Sequence, residues 1–88
     1  MDRVVVYSRD NCSYCTYAKN LLEQKKIPYE EHKLDVDFDR ARLTEMFPTA
    51  KTFPVITVDV FYIGGYSQLT EMINETNINN NTEQLLNG

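Results

Sequence analysis

Short apolar runs and longer stretches of mixed polarity alternate along the 88 residues of the chain. Residues 3–8 are mostly β-branched and aromatic, which predicts a strand buried on both faces, central in its sheet and parallel to a neighbour. Residues 13–26 instead place apolar side chains at helical spacing, which predicts a helix, and Pro28 lies where a helix cannot continue. The predicted core-facing stripe of this helix consists of Cys15, Ala18, Leu21 and Leu22.

The remaining sequence predicts three more strands and two more helices. Two short apolar runs flank Asp59 so closely that a hairpin is the expected connection. Acidic residues are expected in the first turn of the second helix, and Pro48 ends that helix. These further elements are a strand over 29–36, a helix over 37–47, hairpin strands over 54–58 and 60–63, and a helix over 67–73.

Side-chain caps and element order predict the architecture. We expect Asn11 to cap the first helix and Ser67 to cap the last, because Asn and Ser accept hydrogen bonds from first-turn N–H groups. The elements follow the order βαβ and then ββα. A crossover helix joins parallel strands and a hairpin joins antiparallel ones, so this order predicts an α/β fold with a four-stranded mixed sheet flanked by three helices.

Length and charge restrict the classes of function. Eighty-eight residues predict one domain over 1–88, in which residues 77–88 form a short extra helix or a frayed tail. The net charge of −4 argues against nucleic acids and acidic membranes as partners. No apolar run is long enough for a signal peptide or a membrane span. We therefore expect a monomer in the reducing cytoplasm, where a lone cysteine pair is more often catalytic than structural.

The chemistry centres on Cys12 and Cys15, the only cysteines of the chain, at the junction of the first strand and first helix. Unpaired N–H groups and the helix dipole favour a thiolate at this position, and the thiolate is the reactive form. The second cysteine lies about one turn deeper and can close a small disulfide with the first. A C-x-x-C pair at the first βα junction is typical of thioredoxin-like redox proteins.

Three other interpretations of the cysteines fit less well. Structural zinc needs four ligands, and the chain offers two thiols and the imidazole of His32. A disulfide over so short a loop would constrain little of the unfolded chain. An inert buried pair does not suit the boundary of an element near solvent. Thiol–disulfide exchange needs no histidine, so we interpret His32 as a partly covered strand residue.

At this point the sequence resembles the glutaredoxin family, and in particular its smallest dithiol members. The resemblance covers residues 3–75, and three landmarks in order carry it: Ser8 to Cys15, Thr52-Phe53-Pro54, and Ile63 to Tyr66. It implies a thioredoxin-like fold and a glutathione-dependent thiol–disulfide oxidoreductase. Such a protein reduces protein disulfides and mixed disulfides of proteins with glutathione.

The resemblance also implies roles for individual residues. Cys12 matches the nucleophile, Cys15 the second cysteine, and Tyr14 the aromatic wall of the glutathione site. Pro54 matches a cis-proline, and the residue before it pairs through its backbone with the cysteine of glutathione. Basic residues would meet the glycine carboxylate, and the Gly-Gly segment with the helix start would take the γ-glutamyl end. The implied glutathione residues are Arg9, Tyr14, Arg40, Lys51, Thr52, Phe53, Pro54, Gly64, Gly65, Tyr66 and Ser67.

Three departures from the family pattern stand out. Ser13 replaces the usual proline between the cysteines, Phe53 replaces valine, and Ser67-Gln68 lack the acidic residue that often meets the ammonium group of glutathione.

Some relatives with serine in place of the proline between the cysteines bind a [2Fe–2S] cluster between two chains. A second hypothesis is therefore a dimer that holds such a cluster through Cys12 and two glutathione thiols. A third is a thioredoxin-like electron donor to a reductase such as ribonucleotide reductase, or a non-catalytic partner of another enzyme.

Overall fold

A computed structural model describes residues 3–74. In chain order the elements are β1 Val4–Ser8, α1 Ser13–Gln24, β2 Tyr29–Lys33, α2 Arg40–Met46, β3 Val55–Val58, β4 Phe61–Gly64 and a helical segment, α3, over 66–74. The strands form one sheet in the order β2-β1-β3-β4. β1 is parallel to β2 and antiparallel to β3, and β3 is antiparallel to β4.

This topology confirms the predicted thioredoxin-like α/β fold, with β1 in the interior of the sheet. The predicted helix or tail over 77–88 lies outside the described residues. None of the helices within residues 3–74 is long and apolar enough to cross a membrane.

The core lies between the two interior strands and the helices that cover them. β1 and β3 contribute Val4, Val6, Ile56 and Val58, α1 contributes Ala18 and Leu22, and α3 contributes Leu69 and Ile73. Leu21, predicted in the buried stripe of α1, is only partly buried.

Because β1 and β3 are antiparallel, with Tyr7 opposite Val55, the end of β1 lies beside the start of β3. The chain after β1 leads to Cys12, so this pairing positions the cysteine loop close to Pro54.

Several predicted element boundaries were wrong by one to three residues. α1 ends at Gln24 rather than Lys26, which has a left-handed φ of 58°. β2 ends at Lys33 rather than Val36, because a turn follows in which Asp37 Oδ2 accepts from the backbone N–H of Lys33 at 2.8 Å. β4 runs one residue later than predicted and includes Gly64. In α1 and β2 a left-handed residue or a local turn ends the element sooner than hydrophobic periodicity indicates.

The predicted helix caps were also wrong. Asn11 has a left-handed φ of 54°, and Cys12 occupies the N-cap of α1 in its place. α2 begins at Arg40 rather than 37, since Asp39 is its cap and accepts from Arg42 N–H at 2.8 Å. No acidic residue therefore lies in the first turn of α2. The last helix begins at residue 66, so the predicted cap, Ser67, lies inside its first turn.

Candidate functional site

The two cysteines lie at the start of α1 and differ in exposure. Cys12 is extended at the N-cap, with φ −126° and ψ 102°, and is partly exposed, whereas Cys15 is 2% exposed. They form a disulfide. The backbone N–H of Cys15 donates to Cys12 Sγ at 3.1 Å. A donor at this distance stabilises a negative charge on the sulfur, so the arrangement favours Cys12 as the accessible thiolate after reduction.

The loop between β1 and α1 is held by charged side chains. Arg9 Nη1 donates to the carbonyl oxygens of Asp10 and Asn11 at 3.0 and 3.2 Å. The Asp10 carboxylate lies 2.6 Å from Lys33 Nζ, which raises the pKa of Lys33 above its usual value. These contacts connect the cysteine loop to the end of β2, although they are exposed to solvent and individually weak.

Two adjoining pockets open beside the cysteine loop. The first, of about 590 Å³, lies between Tyr14, the segment before β3 and the start of α3. The second, of about 550 Å³, lies between Tyr14, α2 and that same segment. Tyr14, Lys51, Thr52 and Phe53 line both pockets. Tyr14 stands between the two cysteines in sequence, so the cysteine loop contributes this side chain to both pockets.

The structure brings together all eleven residues that the resemblance implies for glutathione. The first pocket also contains Pro54, Gly64, Gly65, Tyr66 and Ser67, and the second also contains Arg9 and Arg40. The Phe53–Pro54 peptide bond is cis, as the resemblance implies. The role of these residues as glutathione ligands stays a prediction.

The two glycines leave room for close backbone approach. Gly64 has a φ of 122°, which side chains rarely adopt, and a Cβ there would lie 2.7 Å from Gln68 Cγ. A Cβ on Gly65 would lie 3.2 Å from the carbonyl oxygen of Pro54. Glycine at position 65 therefore allows the start of α3 to pack against the Pro54 carbonyl, and glycine at position 64 leaves room for the side chain of Gln68.

Gln68 belongs to the site, although sequence reasoning gave it no structural role. Its Oε1 accepts from Gly65 N–H at 2.9 Å, and Leu69 N–H donates to the Gly65 carbonyl at 3.1 Å. Gly65 is therefore the N-cap of α3, and Gln68, the third helical residue, makes the one capping-box bond that a glycine cap allows. The glutamine three residues after the cap was the signal that could have identified this start.

His32 lies apart from both pockets. Its ring is partly buried and contacts Tyr7 at a centroid distance of 5.3 Å. Nε2 lies 3.5 Å from the carboxylate of Glu30. This confirms the interpretation of His32 as a partly covered strand residue.

Within residues 3–74, no group of three or more His, Cys, Asp and Glu side chains could hold a metal ion. A cluster shared between two chains would take one protein ligand from each chain. This finding therefore does not test the cluster hypothesis, which stays a prediction.

Sequence comparison identifies the family to which this arrangement belongs. The glutaredoxin family model matches residues 4–63, more than half of the chain. The chain belongs to the glutaredoxin family. As a glutaredoxin with a Cys12–Cys15 pair, it is a thiol–disulfide oxidoreductase.

Relatives and solved structures agree with this assignment. Glutaredoxin 3 of Escherichia coli K12 is 35% identical over an alignment of 71 residues, with coverage of 78% of this chain and 83% of the relative. Glutaredoxin 1 of Rickettsia bellii is 33% identical over 78 residues, covering 82% of this chain and 78% of the relative.

Two crystal structures resemble this glutaredoxin in fold. Glutaredoxin 1 of Francisella tularensis, complexed with cacodylate, superposes with a TM-score of 0.68 at 26% identity and 98% coverage of both chains. A buckwheat glutaredoxin–glutathione complex gives 0.71 at 27% identity, covering 83% of this chain and 69% of the other.

Proposed function

We propose that this glutaredoxin uses glutathione to reduce protein disulfides and glutathionylated proteins, as a monomer in the cytoplasm. The observation that carries the proposal is the charge of the second pocket. Arg9, Arg40 and Lys51 line it, and in the described part of the chain none of them forms an ion pair. Glutathione carries two carboxylates, and a pocket with unpaired cations beside a reactive thiol suits such an anion. The glutathione complex of the buckwheat relative supports this choice.

The ligand would lie along both pockets, with its sulfur toward Cys12. Its glycine carboxylate would contact the cations of the second pocket, and its cysteine would pair with the backbone of Phe53. The γ-glutamyl carboxylate would accept hydrogen bonds from first-turn N–H groups of α3, at Tyr66 and Ser67. Gly65 N–H is already bonded to Gln68, so it is not offered to the ligand.

The catalytic cycle follows from the difference between the two cysteines. The Cys12 thiolate attacks the glutathione sulfur of a mixed disulfide, and the protein thiol leaves with a proton from water. The thiolate of a second glutathione then attacks the bound glutathione sulfur. This step releases oxidised glutathione and restores the Cys12 thiolate. With a protein disulfide, Cys12 forms the mixed disulfide and Cys15 displaces the substrate, which leaves Cys12 and Cys15 oxidised.

The proposal is tested by measuring which reductant supports turnover. A glutathione-coupled disulfide reduction assay is run beside one coupled to thioredoxin reductase, with the same oxidised substrate. We expect turnover with glutathione and glutathione reductase that saturates with glutathione concentration. Turnover through thioredoxin reductase alone would contradict the glutathione dependence and leave only the general thiol–disulfide activity.

A further inference from the structure

The ring of Phe53 lies within 6 Å of the guanidinium groups of two arginines from different segments. The Cζ atom of Arg9, in the cysteine loop, is 5.9 Å from the centre of the ring, and that of Arg40, at the start of α2, is 5.8 Å away. The ring also stacks on Phe38 at a centroid distance of 6.4 Å. Cations within about 6 Å of an aromatic face are attracted by the ring quadrupole. One side chain thus contacts both guanidinium groups of the second pocket.

These two arginines differ from the other two in the chain. Arg3 and Arg42 each form an ion pair, with Glu30 and Glu45 respectively. Arg9 and Arg40 form none within residues 3–74, so a carboxylate partner does not fix their side chains. The contact that they share is the Phe53 ring.

The guanidinium groups keep hydrogen-bond donors for a ligand. Arg9 uses Nη1 for the two loop carbonyls, which leaves other N–H donors of its planar fork free for a carboxylate. A ring contact through the face of the guanidinium does not consume these donors. The arrangement therefore restrains the two cations while it preserves their capacity to bind an anion.

We propose that Phe53 is a positioning residue for carboxylate recognition in this glutaredoxin. Its ring holds Arg9 and Arg40 at the second pocket, where together they bind the glycine carboxylate of glutathione. The inference rests on the proposed glutathione dependence and extends it, because it explains what the phenylalanine at a position matched to valine contributes. A valine there would have no aromatic face to hold either cation.

The test compares glutathione with its glycine ethyl ester, in which the carboxylate in question is converted to a neutral ester. We measure KM for both thiols in the reduction of a mixed disulfide, using the wild type, Phe53→Val, Phe53→Tyr and Phe61→Val. Phe61 is 70% exposed on β4 and lines neither pocket, so it provides a matched Phe-to-Val control. The wild type should prefer glutathione over the ester.

In Phe53→Val that preference should fall roughly fivefold to tenfold, since two cation–π contacts of modest strength are lost. The fall should arise from a higher KM for glutathione, with little change in KM for the ester or in kcat. Phe53→Tyr keeps the ring and should keep the preference, as should Phe61→Val. A ring that served only to pack the pocket would raise both KM values together, and this result would overturn the proposal.

A second measurement tests the contact without glutathione. The side-chain N–H resonances of Arg9 and Arg40 experience the ring current of Phe53, so both should shift in Phe53→Val and stay near their places in Phe53→Tyr. Unmoved arginine resonances in Phe53→Val, or a wild type that does not distinguish the ester, would refute the positioning role. Failure of the glutathione dependence itself is seen separately, in a wild type that turns over with dithiothreitol but with neither glutathione nor its ester.

Discussion

At the scale of single residues, the chemistry depends on a contrast between two sulfurs three positions apart. Cys12 is partly exposed and its Sγ accepts a hydrogen bond from the N–H of Cys15, while Cys15, in the first turn of α1, is 2% exposed. A substrate can approach only the first sulfur without disturbing the helix. The second is positioned to react with a disulfide that the first has already formed.

This contrast predicts different results for the two serine variants. Cys12→Ser should abolish thiol exchange, because a serine hydroxyl is a far weaker acid than a thiol. Cys15→Ser should retain deglutathionylation, which uses one protein thiol, but lose most reduction of protein disulfides. Free glutathione replaces an intramolecular resolving thiol poorly, since the latter has a much higher effective concentration. Both rates are measured with a glutathionylated peptide and a protein disulfide as substrates. Equal loss of deglutathionylation in the two variants would contradict this assignment.

A second residue-scale feature is the carboxylate of Glu31 behind the cysteine loop. Ser8, which is 1% exposed, donates to Glu31 Oε2 at 2.6 Å, and Lys19 Nζ lies 3.0 Å from the same oxygen. The Ser8 hydrogen bond, and then Lys19, lower the pKa of Glu31 below its ordinary value of 4.5. The folded state therefore favours the charged carboxylate, which adds stability above pH 4.5 that is lost as pH falls through the lowered pKa.

Glu31→Gln should accordingly lower the free energy of unfolding by about 1 kcal/mol at pH 7. This value lies below the usual range for charged hydrogen bonds, because a third of the side chain is exposed. The difference from the wild type should shrink as pH falls below 4.5, where both side chains become neutral. Urea unfolding at several pH values measures it, with the exposed ion-pair variant Glu45→Gln as a control that changes little. A difference that persists unchanged in acid would argue against a charge effect.

The reactive residues could be predicted from sequence, but their contacts could not. The spacing of Cys12 and Cys15 determines that both fall on one helix turn, and family landmarks pointed to the pocket residues. The contacts of Phe53 with Arg9 and Arg40 depend on three segments far apart in the chain. A local sequence pattern therefore cannot predict these side-chain contacts.

At the scale of elements, the ends of helices proved harder to predict than their existence. Asn11 and Ser67 were plausible caps by residue type, yet Cys12 and Gly65 occupy those positions. Backbone geometry determines both cap positions. Cys12 is extended at the end of a loop, and Gly65 lies close to the Pro54 carbonyl oxygen. Hydrophobic periodicity reports which face of a helix is buried, and it contains little information about which residue begins the helix.

The hydrogen bond from Gln68 to the cap of α3 gives a prediction at this scale. Gln68→Ala removes the acceptor for Gly65 N–H and should lower the stability by about 1 kcal/mol, as the loss of a helix cap usually does. Gln68→Glu keeps an acceptor at the same position and should remain close to the wild type. Denaturant midpoints at a constant m-value measure both. If Gln68→Glu were destabilised as much as Gln68→Ala, the hydrogen bond would not be the cause.

At the scale of the whole molecule, the sheet was predictable because its interior strands are apolar on both faces. Val4, Val5 and Val6 are at most 4% exposed, which requires neighbours on both edges and layers on both sides. Given a crossover helix and a hairpin, few arrangements of four strands remain. The charge distribution is a different property of the whole molecule, since an overall acidic chain carries unpaired cations at its pockets.

Glutathione is a net anion. The negative net charge of the chain should repel it, and the positive side chains of the second pocket should attract it. A net charge of −4, seen from about 12 Å, the radius of gyration typical of this length, repels a unit anion by about 1.4 kcal/mol without salt. At 0.15 M salt the Debye length is about 8 Å, and the repulsion falls to about 0.3 kcal/mol. An ion pair at about 4 Å near a protein surface is worth about 4 kcal/mol before desolvation. The local cations should therefore dominate at physiological salt.

A matched pair of variants tests whether the local charge or the net charge governs binding. Arg40→Gln and Arg42→Gln each remove one positive charge and change the net charge from −4 to −5, but only Arg40 lines the second pocket. If local charge dominates, KM for glutathione should rise severalfold in Arg40→Gln and hardly change in Arg42→Gln. The wild-type KM for glutathione should rise by a factor of about two to three between 0.1 and 0.5 M salt. This rise should be smaller in Arg40→Gln. Equal effects of the two substitutions, or a wild-type KM that falls with added salt, would show that the net charge of the molecule controls the encounter.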